Sequence, residues 1–288
     1  MDISSSEIKI FQRKILTWYK IHERDLPWRR TRDPYKILIS EIMLQQTQVP
    51  RVIQKFNEWI EKFPTLTSLA RSSTADVLAS WSGLGYNRRA VNLKRTAEIL
   101  MNEYNGRFPD SEKELLWLPG IGKYTANAIL CFAFNKQVAV VDINIKKVII
   151  VEFLRKRTVG RGGVVLQDVS REIDQLDDAL AWKIAQQLLP VGLAYEWNQA
   201  LMDYSSSVLK KEKIFIPKQS PFKGSRRYYR GKILKLVLAQ KTIHISALED
   251  LLEDDFSGKS TGMLESILDE LQKEKFIIIE NRVIRFVN

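Results

Sequence analysis

The sequence predicts an all-α fold that carries a small α+β domain at its C-terminal end. Up to about residue 215, apolar residues recur at three- and four-residue spacing, as on the buried face of an amphipathic helix. Prolines and glycines separate these segments, and strand-like alternation is scarce. The segments predicted as helices are Ile8–Tyr19, Tyr35–Leu44, Val52–Phe63, Val91–Tyr104, Thr125–Phe134 and Ala179–Leu188. Pro27, Pro50, Pro64 and Pro109 are expected to lie between helices.

The C-terminal part of the chain has a different pattern. Residues 216–225 contain two prolines and a glycine, which is typical of a linker. Two β-rich runs, FIIIE and RVIRFV, flank Asn281 and predict a hairpin. Three helices come first: Gly231–Gln240, Ser246–Leu252 and Thr261–Lys273. This order predicts a winged-helix-like domain over residues 226–288, a fold that contacts DNA in some proteins and protein in others.

Composition limits the classes of protein to consider. The 288 residues include 45 Lys and Arg against 34 Asp and Glu, a formal net charge of +11. This excess suggests a nucleic-acid partner, although solvated lysines alone explain many basic proteins. The single cysteine, Cys131, excludes a disulfide framework and an iron–sulfur cluster held by this chain alone. Because no apolar run reaches about 18 residues and the N-terminus does not fit a secretory signal, we expect an intracellular protein, nucleoid-associated in the cytoplasm or nuclear, with no membrane partner.

The segment Leu118–Ile129 is the most informative motif. Gly120 and Gly122 follow a proline and precede a helix, which predicts a tight hairpin between two helices. Backbone N–H groups at such a helix start suit a phosphate, and Lys123 adds positive charge beside them. Any tight corner between helices has similar spacing, but the full Leu-Pro-Gly-Ile-Gly pattern resembles the helix-hairpin-helix motif, which binds DNA backbones.

Two carboxylates stand out. Glu41 interrupts the apolar run ILISEIMLQQT, so burial should raise its pKa enough for it to act as a general acid. The alternative is a carboxylate at the edge of an amphipathic helix, paired with a basic side chain. Asp142 follows the apolar run VAVV and is a good helix N-cap, a role that is compatible with catalysis. Asn144 lies two residues later and can orient Asp142.

Further polar and aromatic residues are candidates for contact with DNA. Tyr86 follows two glycines and precedes Arg88 and Arg89, so it suits stacking into a duplex with phosphate contacts beside it. The alternative is an aromatic that packs under its own loop. Gln45 and Gln46 either read base edges or lie on a polar helix face. The two histidines have no acid or cysteine at ligand spacing, so no metal site is predicted.

These motifs occur together in one family. From about Arg24 to Ser207 the chain resembles the helix-hairpin-helix DNA glycosylases, and most closely the adenine glycosylases of the MutY type. The matching segments are RDLPWRRTRDPYKILISEIMLQQTQV, GLGYNRRAVNL, LPGIGKYTANAI, VVDINIKKV and WNQALMDYSSSV. The resemblance implies a two-lobed fold, with residues 31–134 as a six-helix barrel lobe and residues 1–30 and 135–215 as the other lobe.

The resemblance also implies a role for each matching residue. Glu41 would protonate N7 of a flipped adenine, and Asp142, supported by Asn144, would stabilise the positively charged sugar. Tyr124 would line that sugar. The residues implied in the adenine pocket are Arg24, Leu26, Trp28, Arg29 and Gln199. Those implied in DNA contact are Gln45, Gln46, Tyr86, Arg88, Gly120, Gly122 and Lys123, with Gln46 and Tyr86 entering the helix opposite the extruded base.

Tyr124 bears on the type of reaction. Relatives that cleave the DNA strand have a lysine at this position, which forms a Schiff base with the sugar. Here the lysine lies one residue earlier, at Lys123. We therefore expect a monofunctional enzyme that removes adenine opposite 8-oxoguanine or guanine in double-stranded DNA, as a step of base excision repair.

Two departures from the family pattern affect this expectation. The family usually has four cysteines after the last glycosylase helix, whereas this chain has Leu209 where the first would fall, so no iron–sulfur cofactor is expected. Packing of Ile214, Phe215 and Phe222 on the helical domain is expected to position the linker instead. The usual larger C-terminal domain, which reads 8-oxoguanine, is also absent, so the base preferred opposite adenine is open.

Two other functions remain. A thymine or uracil glycosylase acting on T/G and U/G mismatches shares Tyr124, Asp142 and the hairpin, whereas the Gln45–Thr47 segment and the pocket around Trp28 and Arg29 favour adenine. A DNA-binding protein without catalysis is disfavoured because Glu41 and Asp142 are both present.

Overall fold

The computed structural model describes residues 3–155, 172, 176–212, 221–256 and 262–287, without the side chains of residues 253–256. Up to residue 212 these residues are helical, apart from their connections. The helices are α1 (Ser5–His22), α2 (Pro34–Leu44), α3 (Val49–Lys62), α4 (Leu66–Arg71), α5 (Thr74–Ser80), α6 (Arg88–Glu103), α7 (Glu112–Trp117), α8 (Lys123–Phe132), α9 (Ile143–Val148), α10 (Asp178–Leu188) and α11 (Ala194–Ser207). A 3₁₀ turn spans Pro27–Arg30, and α9 continues as a π-helical turn over Ile149–Leu154.

Helix starts follow the local capping chemistry. Ser4 and Glu7 form a capping box at α1, and Asp33 accepts a hydrogen bond from the Tyr35 N–H at 2.9 Å to cap α2. Helix α3 begins at Val49, three residues before the predicted start. Pro50 therefore lies inside the first turn, where its missing N–H has no helical partner to lose. The expectation that Pro50 separates two helices was wrong.

Helix α2 lies at the centre of this helical domain. It contacts α3, α6 and α8, and every residue from Ile37 to Met43 is buried. Helix α11 forms a second centre, because it packs against α1, α8 and α9. This packing brings the middle of α2 close to the beginnings of α8 and α9, where Tyr124 and Asp142 lie.

The C-terminal domain has winged-helix topology. Its elements are α12 (Arg226–Gln240), β1 (Thr242–His244), α13 (Ile245–Phe256), α14 (Gly262–Lys273), β2 (Ile277–Glu280) and β3 (Val283–Phe286). The predicted hairpin is confirmed as an antiparallel pair of β2 and β3. Strand β1 pairs with β3 and was not predicted, because three residues are too few for alternation to be visible. Helix α12 begins five residues before the predicted start, since Ser225 caps it and Gly231 lies within it.

Among the described residues, no helix is both long enough and apolar enough to cross a membrane.

Candidate active site

Glu41 occupies the buried middle of α2. Its Oε2 atom is buried without a hydrogen-bond partner among the described residues. Burial raises the pKa of Glu41 to about 7, and the nearby Asp142 carboxylate adds to the rise. The polar side chain of the nearby Tyr124 and the charge of Arg29 oppose it. Glu41 therefore holds a proton over part of the neutral pH range, as a general acid requires.

Tyr124 and Asp142 reach Glu41 from two other helices. Tyr124 lies in the first turn of α8, close enough to Glu41 for each side chain to shift the pKa of the other. Asp142 caps α9: its Oδ1 accepts from the Ile145 N–H at 2.8 Å, and its Oδ2 accepts from the Asn144 amide at 2.8 Å. Burial raises the pKa of Asp142, but these hydrogen bonds stabilise its ionised form. Of the two carboxyl groups, Asp142 is the better placed to ionise first.

A buried ion-pair cluster lies beside this group. Asp203 on α11 is completely buried and accepts hydrogen bonds from Arg29 at 2.7 and 2.8 Å and from the Arg24 Nε at 2.6 Å. Arg29 therefore has a fixed orientation, while its Nε atom is buried without a partner among the described residues. The unpartnered Nε of Arg29 and Oε2 of Glu41 are two polar groups that a bound base can satisfy.

Sequence reasoning missed Asp203. It follows the apolar residues Leu201 and Met202 on a helix, and a carboxylate in such a position needs positively charged partners. Its two partners, Arg24 and Arg29, lie in the RDLPWRR segment, which is 174 or more residues away in the sequence. That separation hides the pairing from any local pattern.

The other residues predicted in the base pocket lie around this cluster. Leu26, just before the Pro27–Arg30 turn, and Trp28, within it, are both buried. The Trp28 ring packs edge-on against Phe56, with 5.6 Å between the ring centroids. Gln199 is buried one helical turn before Asp203, so both side chains lie on the same face of α11.

Three of the predicted DNA-contact residues, Gln45, Gln46 and Tyr86, lie on two loops that follow α2 and α5. Gln46 and Tyr86 both have positive φ angles, 55° and 48°, and Tyr86 is 45% exposed. We call residues 44–47 and 83–86 the paired loops, because Arg89 connects them. Its guanidinium donates to the Ile42 carbonyl in the last turns of α2, to the Gln45 carbonyl in the first loop and to the Leu84 carbonyl in the second.

Arg89 thus differs from the sequence prediction. The two arginines after Tyr86 suggested phosphate contacts, and this fits Arg88 but not Arg89, whose half-buried guanidinium is bonded to backbone carbonyls. Burial lowers the pKa of Arg89 to about 10. Arg88 is exposed at the start of α6. No local sequence signal distinguishes the two neighbours.

Of the two glycines in the hairpin between α7 and α8, only Gly120 has a backbone conformation that favours glycine. Gly120 has φ of +79°, and a Cβ there would lie 2.9 Å from the Asn92 side chain, so a larger residue does not fit. Gly122 caps α8 with an ordinary φ of −94° and open space around it. Lys123 is exposed, and its ammonium lies 4.4 Å from the centre of the Trp182 ring.

A buried lysine holds the turn after α11. The Lys147 ammonium donates to the Leu209 carbonyl at 3.0 Å and to the Glu212 carbonyl at 3.4 Å. Leu209 is buried. Phe222 was expected to pack on the helical domain, but it is 63% exposed, so this prediction was wrong. Ile214 and Phe215 lie outside the described residues. Among the residues that are described, no group of three His, Cys, Asp or Glu side chains is arranged to hold a metal ion.

Comparison with known proteins gives consistent matches. Residues 39–158 match the family model described as "HhH-GPD superfamily base excision DNA repair protein". An adenine DNA glycosylase of Buchnera aphidicola (subspecies Baizongia pistaciae) is 37% identical over 240 residues, which are 82% of this chain and 63% of that protein. A thymine/uracil-DNA glycosylase of Methanothermobacter thermautotrophicus is 34% identical over 74% of this chain and 90% of that protein.

A solved structure also matches. The structure of a thermostable thymine-DNA glycosylase superposes with a TM-score of 0.62 at 34% identity, covering 72% of this chain and 89% of that one. The chain spans less than two thirds of the length of the adenine glycosylases it matches, from 45% to 63% among the examples from Mycobacterium tuberculosis and Buchnera.

Proposed function

The chain belongs to the HhH-GPD superfamily of base excision DNA repair proteins, and from this premise we propose that it is a monofunctional adenine DNA glycosylase. Its substrate is double-stranded DNA in which adenine is mispaired with 8-oxoguanine or guanine. The observation that carries the proposal is the buried Glu41, with a pKa of about 7, next to Tyr124 and Asp142.

The reaction needs two carboxyl groups in opposite protonation states. A base within a duplex is out of reach, so the adenine leaves the stack and enters the pocket beside Glu41. Glu41 donates its proton to N7, so that the base departs as a neutral molecule. The ionised Asp142, oriented by Asn144, stabilises the positive charge that develops on the sugar. Water then adds to the sugar and completes the hydrolysis.

The pocket favours a purine. Protonation by a neutral carboxylic acid suits adenine, which has a basic N7 that pyrimidines lack. Arg29 supplies an N–H without a partner among the described residues, and Gln199 supplies a buried amide. Leu26 and Trp28 supply apolar surface for the flat face of the base, while Arg24 helps to hold Asp203.

The DNA-contact residues have matching roles in the proposal. Gln45, Gln46 and Tyr86, on the paired loops, enter the duplex where the base has left. Arg88 and Lys123 contribute positive charge, and Gly120 and Gly122 present the hairpin backbone to a phosphate. The packing of α1 and α9 on α11 supports residues 1–30 and 135–215 as one lobe, with 31–134 as the other.

A second candidate is removal of thymine or uracil from mismatches with guanine. It is favoured by the Methanothermobacter relative, of which this chain covers 90%. Tyr124 and Asp142 suit either base, because both stabilise the sugar rather than the leaving group. The two candidates differ in the need for an acid at Glu41.

A single-turnover assay on four duplexes tests the proposal. The duplexes carry A opposite 8-oxoguanine, A opposite G, T opposite G and U opposite G, and products are separated with and without hot alkali. We expect release of adenine, with strand breakage only after alkali, since Lys123 lies over Trp182 and Tyr124 occupies the reacting position. Release of thymine or uracil without adenine would overturn the proposal in favour of the second candidate.

A further inference from the structure

A cleft of about 1140 Å³ separates the paired loops from the C-terminal domain. Gln46, Tyr86 and Arg88 lie on one wall, and Arg227 and Lys235 of α12 lie on the other. Glu41, Tyr124 and Asp142 are not among the residues that line it. The cleft is therefore a different space from the base pocket, although residues at the end of α2 border it.

A smaller cleft of about 300 Å³ adjoins the first. Both clefts are lined by Arg88, Asn92 and Glu274. The smaller cleft is also lined by Arg95, by Lys273 at the end of α14 and by Lys275 just after it. Asn92 also lies beside the hairpin, since a Cβ at Gly120 would meet its side chain. The two clefts, which we call the interdomain cleft, thus form one basic channel that continues from the hairpin.

Charge is distributed unevenly over the C-terminal domain. Helix α12 carries five Lys or Arg and no acid, whereas α13 carries five Asp or Glu and no base. Helix α14 has three acids and one lysine, Lys273, at its C-terminal end. In a helix-turn-helix the second helix of the motif enters the major groove, but phosphates would repel the acidic α13 and most of α14. The surfaces of these three helices that suit nucleic acid are therefore α12 and the C-terminal end of α14.

Not all basic residues of this face are available to a ligand. Arg230 donates to Glu270 and Glu274 at 2.9 to 3.1 Å, and Arg226 also bonds Glu270, so both hold α12 against α14. Lys235, Lys273 and Lys275 are exposed and have no ion pair within the described part of the chain. These three lysines give the C-terminal wall of the cleft its available charge.

We propose that the interdomain cleft binds the phosphate backbone of the DNA strand opposite the one whose base enters the Glu41 pocket, with Lys235, Lys273 and Lys275 as phosphate contacts. This inference rests on the proposed function. The strand is assigned because Gln46 and Tyr86 border the cleft while the catalytic residues do not. The C-terminal domain then closes over DNA with its first helix.

The test compares two full-length variants that each lose three positive charges. One carries Lys235→Gln, Lys273→Gln and Lys275→Asn; asparagine suits position 275, which has a φ of +60°. The control carries Lys9→Gln, Arg13→Gln and Lys20→Gln on the exposed face of α1, which lines neither part of the cleft. Affinity for a duplex with A opposite 8-oxoguanine is measured at several KCl concentrations.

We expect the slope of log affinity against log salt to become shallower by about 2.7 in the cleft variant, at about 0.9 for each lost phosphate contact. The control slope should not change. Equal slopes for the two variants would overturn the proposal. Single-turnover excision by the control variant should equal that of the wild type, because its three residues line neither part of the cleft.

A second measurement tests the strand. Neutral methylphosphonates are placed one at a time in either strand. Those in the opposite strand should weaken binding by the wild type and have no further effect on the cleft variant. If only methylphosphonates in the target strand weakened wild-type binding without a further effect on the cleft variant, the strand assignment would be overturned. Failure of the proposed function would appear as no base release from any duplex by the wild type. Failure of the cleft proposal would appear in the binding measurements, which do not require base release, so the two outcomes are distinguishable.

Discussion

Glu41, at the base pocket, lies on α2, whereas Gln46, which lines the interdomain cleft, lies five residues later in the loop after that helix. In the pocket, charged groups are buried, paired by hydrogen bonds and shifted in pKa. In the cleft, lysines are exposed to solvent. Changes in the pocket should therefore alter rate or stability with little dependence on salt, while changes in the cleft should alter affinity in a salt-dependent way.

The largest effect is expected from Glu41→Gln. Glutamine keeps the shape of the side chain but has no acidic proton to give to the leaving base. The single-turnover rate of adenine release should fall about a thousandfold, and duplex affinity should be unchanged. Glu61→Gln, an exposed glutamate near the end of α3, is the control and should retain full rate. Substantial adenine release by Glu41→Gln would contradict the assignment of the acid.

The next largest effect is expected from Asp203→Asn, which should lower the free energy of unfolding. Arg29, whose side chain is 5% exposed, would lose the only carboxylate it contacts among the described residues. An uncompensated buried charge lowers the free energy of unfolding by about 3 kcal/mol. The matched control is Asp25→Asn, which breaks the exposed pair with Arg30 and should leave stability unchanged. Chemical denaturation measures both; equal stability of the two variants would mean that the buried cluster contributes nothing.

Arg89→Lys should have a smaller effect. A lysine ammonium cannot reach carbonyls in both paired loops at once, as the planar guanidinium does. We expect a loss of about 2 kcal/mol in the free energy of unfolding, because buried carbonyls lose their donors. Arg88→Lys, the exposed neighbour, is the control. If both substitutions gave the same unfolding curve, Arg89 would have no role in joining the loops.

The smallest effect is the dependence of excision on pH. Burial raises the pKa of Glu41 to about 7, so the acid is protonated below that pH and loses its proton above it. The single-turnover rate should therefore fall up to tenfold for each pH unit above about 7. Salt concentration should not move this midpoint, in contrast with binding at the cleft. A rate that rises from pH 7 to pH 9 would contradict the role of Glu41.

Local pattern predicted most of the fold and the centre of the candidate site. The apolar run around Glu41 indicated its burial, and the hairpin motif placed Gly120 correctly, since both depend on neighbours in sequence. Contacts between distant segments were not predictable: Asp203 with Arg29, and Lys147 with Leu209. The same holds for the different environments of Arg88 and Arg89, and for β1, which exists only through its pairing with β3.

The hydrogen bonds of Lys147 that hold the turn after α11 bear on how this turn responds to oxidants. An ammonium group and two backbone carbonyls hold this turn, and peroxide does not attack any of them. Burial raises the pKa of the Cys131 thiol to about 12, so its oxidisable thiolate form is scarce. The contacts that hold the turn at residues 209–212 therefore contain no group that peroxide oxidises.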